Sequence, residues 1–348
     1  MQINTAILSF GMSGQLFHAP FLEVSPHFNL YAVWERSKNI ASSIYPGIKT
    51  YRNLEDLLAD ASIELVIVNT PNYTHYDFTK KALLAGKHVV VEKPFTVTSA
   101  EGEELIELAA GRGLVLSVYQ NRRYDSDYRT IKRIVEEGWL GEIVEAEFHY
   151  DRYKQELSPK VHKEIPGPGT GALYDLGSHL IDQALQLFGQ PRSIFADIRT
   201  VRPISQVDDY FELLLYYPRL RVRLHSSYLV REPLPAYALH GSKGSFIKSK
   251  TDVQEAALQA GAKPGGKDWG KEPDHEKGML HTEKDGRLVR QYIESVAGNY
   301  GGYYEAIYEA LRQGAEPPVK AAEGLDVIKV IEAAFESSST GQIVTFNA

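Results

Sequence analysis

Asn4-Thr5-Ala6-Ile7-Leu8-Ser9-Phe10-Gly11-Met12-Ser13-Gly14 opens the chain with an apolar run, two glycines and then a helical pattern. The order strand, tight turn, helix starts a βα unit. The theme repeats. Residues 30–34, 64–69 (ELVIVN), 88–92 (HVVVE) and 114–119 (LVLSVY) are further short apolar runs. Amphipathic segments 54–59, 76–85 and 100–110 precede the last three. Strands that are apolar throughout and alternate with helices belong to a parallel sheet covered on both faces. The first third is therefore expected to be an α/β Rossmann domain, a doubly wound parallel sheet.

The pattern changes after about residue 123. Residues 127–137 read as a helix that stops at Gly138. Residues 143–153 (IVEAEFHYDRY) alternate as a half-solvated strand does, and 173–188 read as a helix. Strand candidates follow at 193–202, 209–217, 221–230, 236–241 and 245–247 without helices between them. This predicts an α+β C-terminal domain with a large, mostly antiparallel open sheet. Residues 260–275, rich in Gly, Pro and Lys, are expected to form a surface loop. Helices are expected near 303–312 and 321–337. The domains are drawn at 1–122 and 123–348, with the 321–337 helix as a candidate to pack back on the first domain.

Composition narrows the function. The 348 residues carry 38 Lys and Arg against 45 Asp and Glu, a net charge of −7, which lacks the basic footprint of a nucleic-acid binder. There is no cysteine, so disulfides, thiolate metal sites and Cys nucleophiles are excluded. No signal peptide is read at the N-terminus and no apolar run reaches the roughly 20 residues of a membrane span. The cytoplasm is the expected compartment.

The glycine loop offers Gly11, Met12, Ser13 and Gly14 to a pyrophosphate at a helix N-terminus. Ser9 stands where the G-x-G-x-x-G fingerprint has its first glycine, a position that only makes the tight turn. Glu35 lies 21 residues beyond Gly14, at the end of the second strand, where an acidic group accepts from the adenosine ribose. Arg36 and Ser37 follow and suit a 2′-phosphate, which Glu35 would repel unless it turned away. The alternative for all three is a cap on the next helix. The cofactor is read as NAD(P), with NADP favoured by the adjacent cation and hydroxyl. Thr70, Pro71, Asn72 and His75 follow the third strand, at the sheet edge where ligands bind, or form a plain turn and cap.

Glu92-Lys93-Pro94 ends the fourth strand at the same edge. A lysine leaving an apolar strand for a crevice can relay the proton of a substrate hydroxyl, or can be a solvated strand end. Asp175 and His179, four apart, share one helix face behind the glycine-rich stretch 167–171. Histidine is the natural acid and base near neutral pH, and a carboxylate can orient it or hold a hydroxyl. The bland reading is a capping Asp beside a core His. The spacing would also suit a metal, but there is no third ligand close in sequence, and no metal is assigned.

Together the motifs resemble the Gfo/Idh/MocA family of glucose–fructose oxidoreductase, inositol dehydrogenase and relatives. The matching segments are Gly11-Met12-Ser13-Gly14 with Phe17-His18-Ala19-Pro20-Phe21, Thr70-Pro71-Asn72-x-x-His75, Glu92-Lys93-Pro94, Asn121-Arg122-Arg123 and Asp175-x-Gly177-x-His179-x-x-Asp182. They run in the family's order over most of the chain. Phe17-His18-Ala19-Pro20 and residues 121–127 resemble the bacterial branch that contains NADP-dependent scyllo-inositol dehydrogenases. The resemblance implies hydride transfer between a nicotinamide and a carbon bearing a secondary hydroxyl of a polyol or sugar. It implies Lys93 as catalytic or proton-relay lysine, His179 as acid and base, and Asp175 as substrate-orienting carboxylate. Glu92, Asn121 and Arg122 would line the cofactor pocket. It also implies a homodimer or homotetramer through the C-terminal sheet. A nucleotide-sensing regulator of the same fold without turnover is the alternative. Tyr153, His162, Asp268, Trp269, Asn299 and Tyr300 are candidates for the substrate pocket, or for surface and core.

Overall fold

A computed structural model describes residues 1–160 and 163–346; His162 lies outside them. The chain divides into two compact units. The first takes residues 1–121, 254–269 and 299–325; the second takes 122–253, 270–298 and 326–348.

In the first unit, β1 (Ile3–Ile7), β2 (Phe28–Trp34), β3 (Lys49–Tyr51), β4 (Leu65–Val68), β5 (His88–Glu92) and β6 (Leu116–Tyr119) form one sheet in the order β3-β2-β1-β4-β5-β6. Every neighbouring pair is parallel. All of β4 and Val89, Val90 and Val91 of β5 are buried, as expected for strands covered on both faces. The connecting helices are α1 (Ala19–Val24), α2 (Ile40–Ile44), α3 (Leu54–Ala59), α4 (His75–Leu84) and α5 (Ser99–Gly111). The strand order reverses between β1 and β4, the place where ligands bind beyond the carboxyl ends of such sheets. The sequence reading missed β3, three residues with an exposed Lys49 on the sheet edge.

The second unit contains α6 (Ser126–Glu136), β7 (Ile143–His149), α7 (Ser178–Phe188), β8 (Ser193–Arg199), β9 (Tyr210–Tyr216), β10 (Arg221–Ser227), β11 (Tyr237–Gly241) and β12 (Gly244–Lys248). Of the later elements, the short α8 (Val253–Gln259), from Gln254 on, and α9 (Gly301–Gln313) belong to the first unit; β13 (Gly278–Lys284), β14 (Arg287–Ile293) and β15 (Val344–Thr345) belong to the second; and α10 (Ala321–Thr340) passes from the first to the second after Leu325. Strands β7 to β15 form a nine-stranded sheet in the order β14-β13-β12-β11-β7-β10-β9-β8-β15. It is antiparallel throughout, save the central pair β7 and β10, which run parallel. Burial alternates along β9, with Phe211, Leu213 and Leu215 inward and Tyr210, Glu212 and Leu214 on the other face. One face is thus left open, and Phe195 and Ile247 stand exposed on it.

Three expectations need correction. The hairpin of β13 and β14 was not read from its polar sequence. The segment 260–275 is not all surface, because Glu272 is buried and accepts from Lys248 Nζ at 2.7 Å. The helix expected at 173–188 begins instead as a π-helical turn, Leu173–Gly177, and becomes α-helical at Ser178.

Candidate functional site

The loop after β1 enters a π-helical turn at Gly14–His18 before α1 begins. Asn69, at the end of β4, pins it. Asn69 Oδ1 accepts from Ser9 N at 2.9 Å, and Asn69 Nδ2 donates to the Ser9 carbonyl oxygen at 2.7 Å and to Ser13 Oγ at 3.2 Å. A Cβ on Gly14 would lie 2.3 Å from the Ser9 carbonyl oxygen, whereas one on Gly11 would meet only Ser9 Oγ at 3.6 Å. Gly14 therefore serves the close packing of helix on strand, and the backbone at Gly11 is open to a ligand. No acidic side chain stands in the first turn. A bare, positively polarised helix end with an approachable backbone fits a pyrophosphate.

At the end of β2 the helix-cap reading of Glu35 holds. Its Oε1 accepts from Ile40 N at 3.1 Å and its Oε2 from Ala41 N at 3.2 Å, so the carboxylate is turned into the protein and buried. Arg36 and Ser37 remain exposed. Arg52, which the sequence reading did not single out, donates to the Glu35 and Lys38 carbonyl oxygens at 2.6 Å each and to Asn39 Oδ1, fixing this loop.

The Thr70–His75 segment is a turn with an interior lock. Thr70 Oγ1 lies 2.6 Å from Thr74 Oγ1, and Pro71 precedes a single 3-10 turn, Asn72–Thr74. His75 is fully buried. Its Nδ1 faces the Pro94 carbonyl oxygen at 2.8 Å and its Nε2 that of Thr70 at 2.9 Å. This corrects the cofactor-contact expectation for His75, because its ring reaches no solvent and instead ties the turn to the strand end that carries Lys93. Burial holds its pKa below the ordinary value.

Glu92 and Lys93, both half-buried, end β5, and the Lys93–Pro94 peptide is cis. Glu92 belongs to a buried chain. His18 Nε2 lies 3.0 Å from Glu92 Oε1, and His18 Nδ1 lies 2.6 Å from Tyr304 Oη. An ionised carboxylate only accepts, so Nε2 donates to Glu92. Burial would raise the Glu92 pKa, but the His18 hydrogen bond and charge outweigh it and keep the acid low. Tyr304 comes from α9, 286 residues from His18.

In the second unit Asp175 sits in the π-helical turn and His179 in the first turn of α7. Asp175 is half-buried and accepts from Lys163 Nζ at 2.9 Å; His179 is 5% exposed. A Cβ on Gly177, between them, would strike Leu173 Cδ1 at 2.6 Å, so this glycine lets the turn close. Asp208 caps the turn, its Oδ2 accepting from Leu173 N at 2.8 Å. Burial pushes the Asp208 carboxyl up to about 6 against those backbone donors. Asp182 is held by a two-pronged Arg123 pair at 2.8 and 2.6 Å.

Asn121 is buried at the start of a 3-10 turn. Arg122 is buried, and its Nη1 pairs with Asp252 and lies 3.4 Å from Asp125 Oδ2. Lys250 joins this cluster, 3.5 Å from Asp125 and 4.5 Å above the Tyr150 ring. Burial pushes Asp125 up to about 7 despite the opposing Arg122. Burial would raise the Tyr150 pKa too, but Arg122, Lys250 and Arg152 outweigh it and lower the phenol. The Tyr150 ring lies 6.4 Å from that of His179. Tyr150 is a polar neighbour of His179 that the motifs did not reveal. Of the other candidates, Tyr153 is exposed beneath Arg231, and Asp268 is exposed. Trp269 Nε1 donates to Gln254 Oε1 at 3.1 Å, Asn299 Oδ1 accepts from Gly302 N at 3.1 Å, and Tyr300 is core.

Among the described residues no helix is long and apolar enough to cross a membrane. Residues 3–120 match the oxidoreductase-family NAD-binding Rossmann fold, and residues 132–346 match that family's C-terminal alpha/beta domain. The chain is 42% identical to the scyllo-inositol 2-dehydrogenase (NADP(+)) IolW of Bacillus subtilis, over 97% of this chain and 94% of the relative. It is 39% identical to the oxidoreductase YdgJ of Escherichia coli, over 97% and 96%. Among solved structures, an oxidoreductase of Bacteroides fragilis is 46% identical with a TM-score of 0.92, covering 99% of this chain and 100% of that one. The yvaA oxidoreductase of Bacillus subtilis is 41% identical with a TM-score of 0.96, covering 99% of both. With both domains matched in order and relatives alike over almost their whole length, the chain belongs to the Gfo/Idh/MocA oxidoreductase family.

Proposed function

We propose that the chain is an NAD(P)-dependent dehydrogenase that interconverts a secondary hydroxyl and a ketone on a polyol or sugar of the inositol kind. The observation that carries this reading is the joint presence of Lys93 at the end of a buried strand and of His179 with Asp175 on a tightly closed helical turn. In oxidation one of His179 and Lys93 accepts the hydroxyl proton as the hydride leaves the same carbon, and Asp175 orients the substrate. The nicotinamide, when bound, supplies the hydride acceptor at C4. NADP is favoured, because Glu35 is occupied with backbone N–H groups while Arg36 and Ser37 stay exposed. The name of the Bacillus subtilis relative points the same way. The open sheet face, with Phe195, Ile247 and Tyr292 exposed, favours a homodimer or homotetramer through that sheet.

The test is an NAD(P)H absorbance screen pairing each cofactor with inositols, aldoses and sugar acids. Turnover with one polyol class is expected. Lys93→Met and His179→Asn should each lower kcat by roughly 10²–10⁴, the usual worth of acid–base catalysis, with cofactor affinity kept. Near-normal turnover in both variants would sink the assignment. Tight cofactor binding with no turnover across the panel would favour the sensor.

A further inference from the structure

On the open face of the second unit's sheet, two histidines and an aspartate meet outside the residues of the proposed reaction. Strands β7 and β10 pair in parallel, and their register sets His149 directly beside His225. Asp151 lies two residues beyond His149 and so on the same face. Its carboxylate stands between the rings, with His225 Nδ1 2.9 Å from Oδ1 and His149 Nδ1 3.3 Å from Oδ2. The three side chains are 8%, 18% and 3% exposed for His149, His225 and Asp151, and one ligand atom from each lies within 4.8 Å of the others.

We propose that His149, Asp151 and His225 form a site for a divalent transition-metal ion of the zinc type. Two imidazoles and one carboxylate are a borderline donor set suited to such an ion. Bonds of about 2.0–2.1 Å in a tetrahedron separate ligand atoms by about 3.3 Å; the imidazoles approach the two different oxygens of Asp151 at 2.9 and 3.3 Å and the three ligand atoms lie within 4.8 Å, so the side chains must turn and draw together to close on an ion. An outer layer is present as well. His149 Nε2 lies 3.6 Å from Glu147 Oε2, and Glu147 is itself paired with Arg223. That spacing is too long for a hydrogen bond, so Glu147 places negative charge beside the far nitrogen of His149. Ser227 N donates to Asp151 Oδ1 at 3.1 Å, which holds the carboxylate in place. A fourth ligand would be water or a group from another molecule. The reading assigned no metal from sequence, because neither the parallel register nor the 74-residue separation of Asp151 and His225 is visible there.

The test uses the full-length, tag-free chain, stripped with chelator and titrated with Zn²⁺ against a chromophoric competitor. One tightly held zinc per chain is expected. Cobalt in its place should show the strong visible bands of a tetrahedral site. His225→Ala and Asp151→Asn should each weaken zinc binding by at least roughly tenfold to a hundredfold. His275→Ala, at a histidine outside the cluster, should leave it unchanged. Circular dichroism checks that the variants fold, and His149→Gln replaces either one that does not. Zinc uptake that is weak in the unaltered chain, or equal in unaltered and cluster variants, would overturn the proposal and leave a hydrogen-bonded carboxylate between two imidazoles.

Discussion

The helix after β1 and the helix that bears Asp175 and His179 both begin with a five-residue π-helical turn, Gly14–His18 and Leu173–Gly177. Their N-terminal ends are treated differently. The first has no acidic residue in its first turn, and its approach is shaped by glycine and by the Ser9–Asn69 hydrogen bonds. The second has a carboxyl of its own, Asp208, which accepts from Leu173 N at 2.8 Å. A helix end carries roughly half a positive charge, and what is placed there decides its use. In the first unit the charge meets no acidic side chain in the first turn. In the second it is spent on making the turn rigid, and the turn presents side chains instead.

The sharpest way to break this contrast is at the glycines. Gly14→Ala forces its Cβ against the Ser9 carbonyl oxygen, so overpacking should cost about 1–3 kcal/mol and cofactor affinity should fall with it. Gly11→Ala meets only Ser9 Oγ. Its stability should stay within about 0.5 kcal/mol, while its Kd for NADPH rises at least roughly tenfold through the blocked backbone approach. Thermal melts and cofactor titration separate the two, and equal stability losses would refute the division of labour.

Asp208→Asn tests the second end. Burial raises the folded carboxyl from 3.8 to about 6, so the ionised form is disfavoured in the fold. Its contribution is full below pH 3.8 and is lost as pH rises through about 6. At one pKa unit per 1.36 kcal/mol the span is at most about 3 kcal/mol, less for solvent screening. Melts across pH 4–7 should slope in the unaltered chain more than in the variant. A parallel pair of curves would contradict the assignment.

The smallest effect expected is at the end of β2. Arg36→Ala should lower the preference for NADPH over NADH roughly tenfold, about 1.4 kcal/mol. Glu35→Gln should leave that preference in place and cost about 1 kcal/mol of stability through the cap on α2. A reversed pattern in the two Kd ratios would restore Glu35 as the ribose ligand.

Legibility followed burial. β1, β2, β4, β5 and β6 stood out because strands of a sheet covered on both faces are largely apolar. β14 (RLVRQYI) escaped because Arg287, Arg290 and Gln291 break its apolar run and it is mostly exposed. The turn before it was nonetheless marked by Asp285-Gly286, both with positive φ, a two-residue hairpin signal. The motif residues Lys93, Asp175 and His179 were legible as motifs. Their partners were not, because Asn69, Asp208 and Tyr304 reach their sites across 60, 35 and 286 residues of sequence. Hydrogen bonds of that span depend on topology and leave no local pattern.

The first unit also sets a timetable for its own assembly. Ser117 Oγ lies 2.8 Å from both the Tyr303 hydroxyl and the Val319 carbonyl oxygen, and His18 reaches Tyr304. Gly102 and Gly324 are closely packed, against Leu325 and against Val118 and Phe95 respectively. A domain that starts at residue 3 is therefore sealed by residues beyond 300. During synthesis at roughly 5–20 residues per second the early sheet waits many seconds for its last aromatic layer. A chain truncated before α9 would keep the strands and expose the apolar surface that α9 covers, making it a substrate for chaperones rather than a smaller working domain.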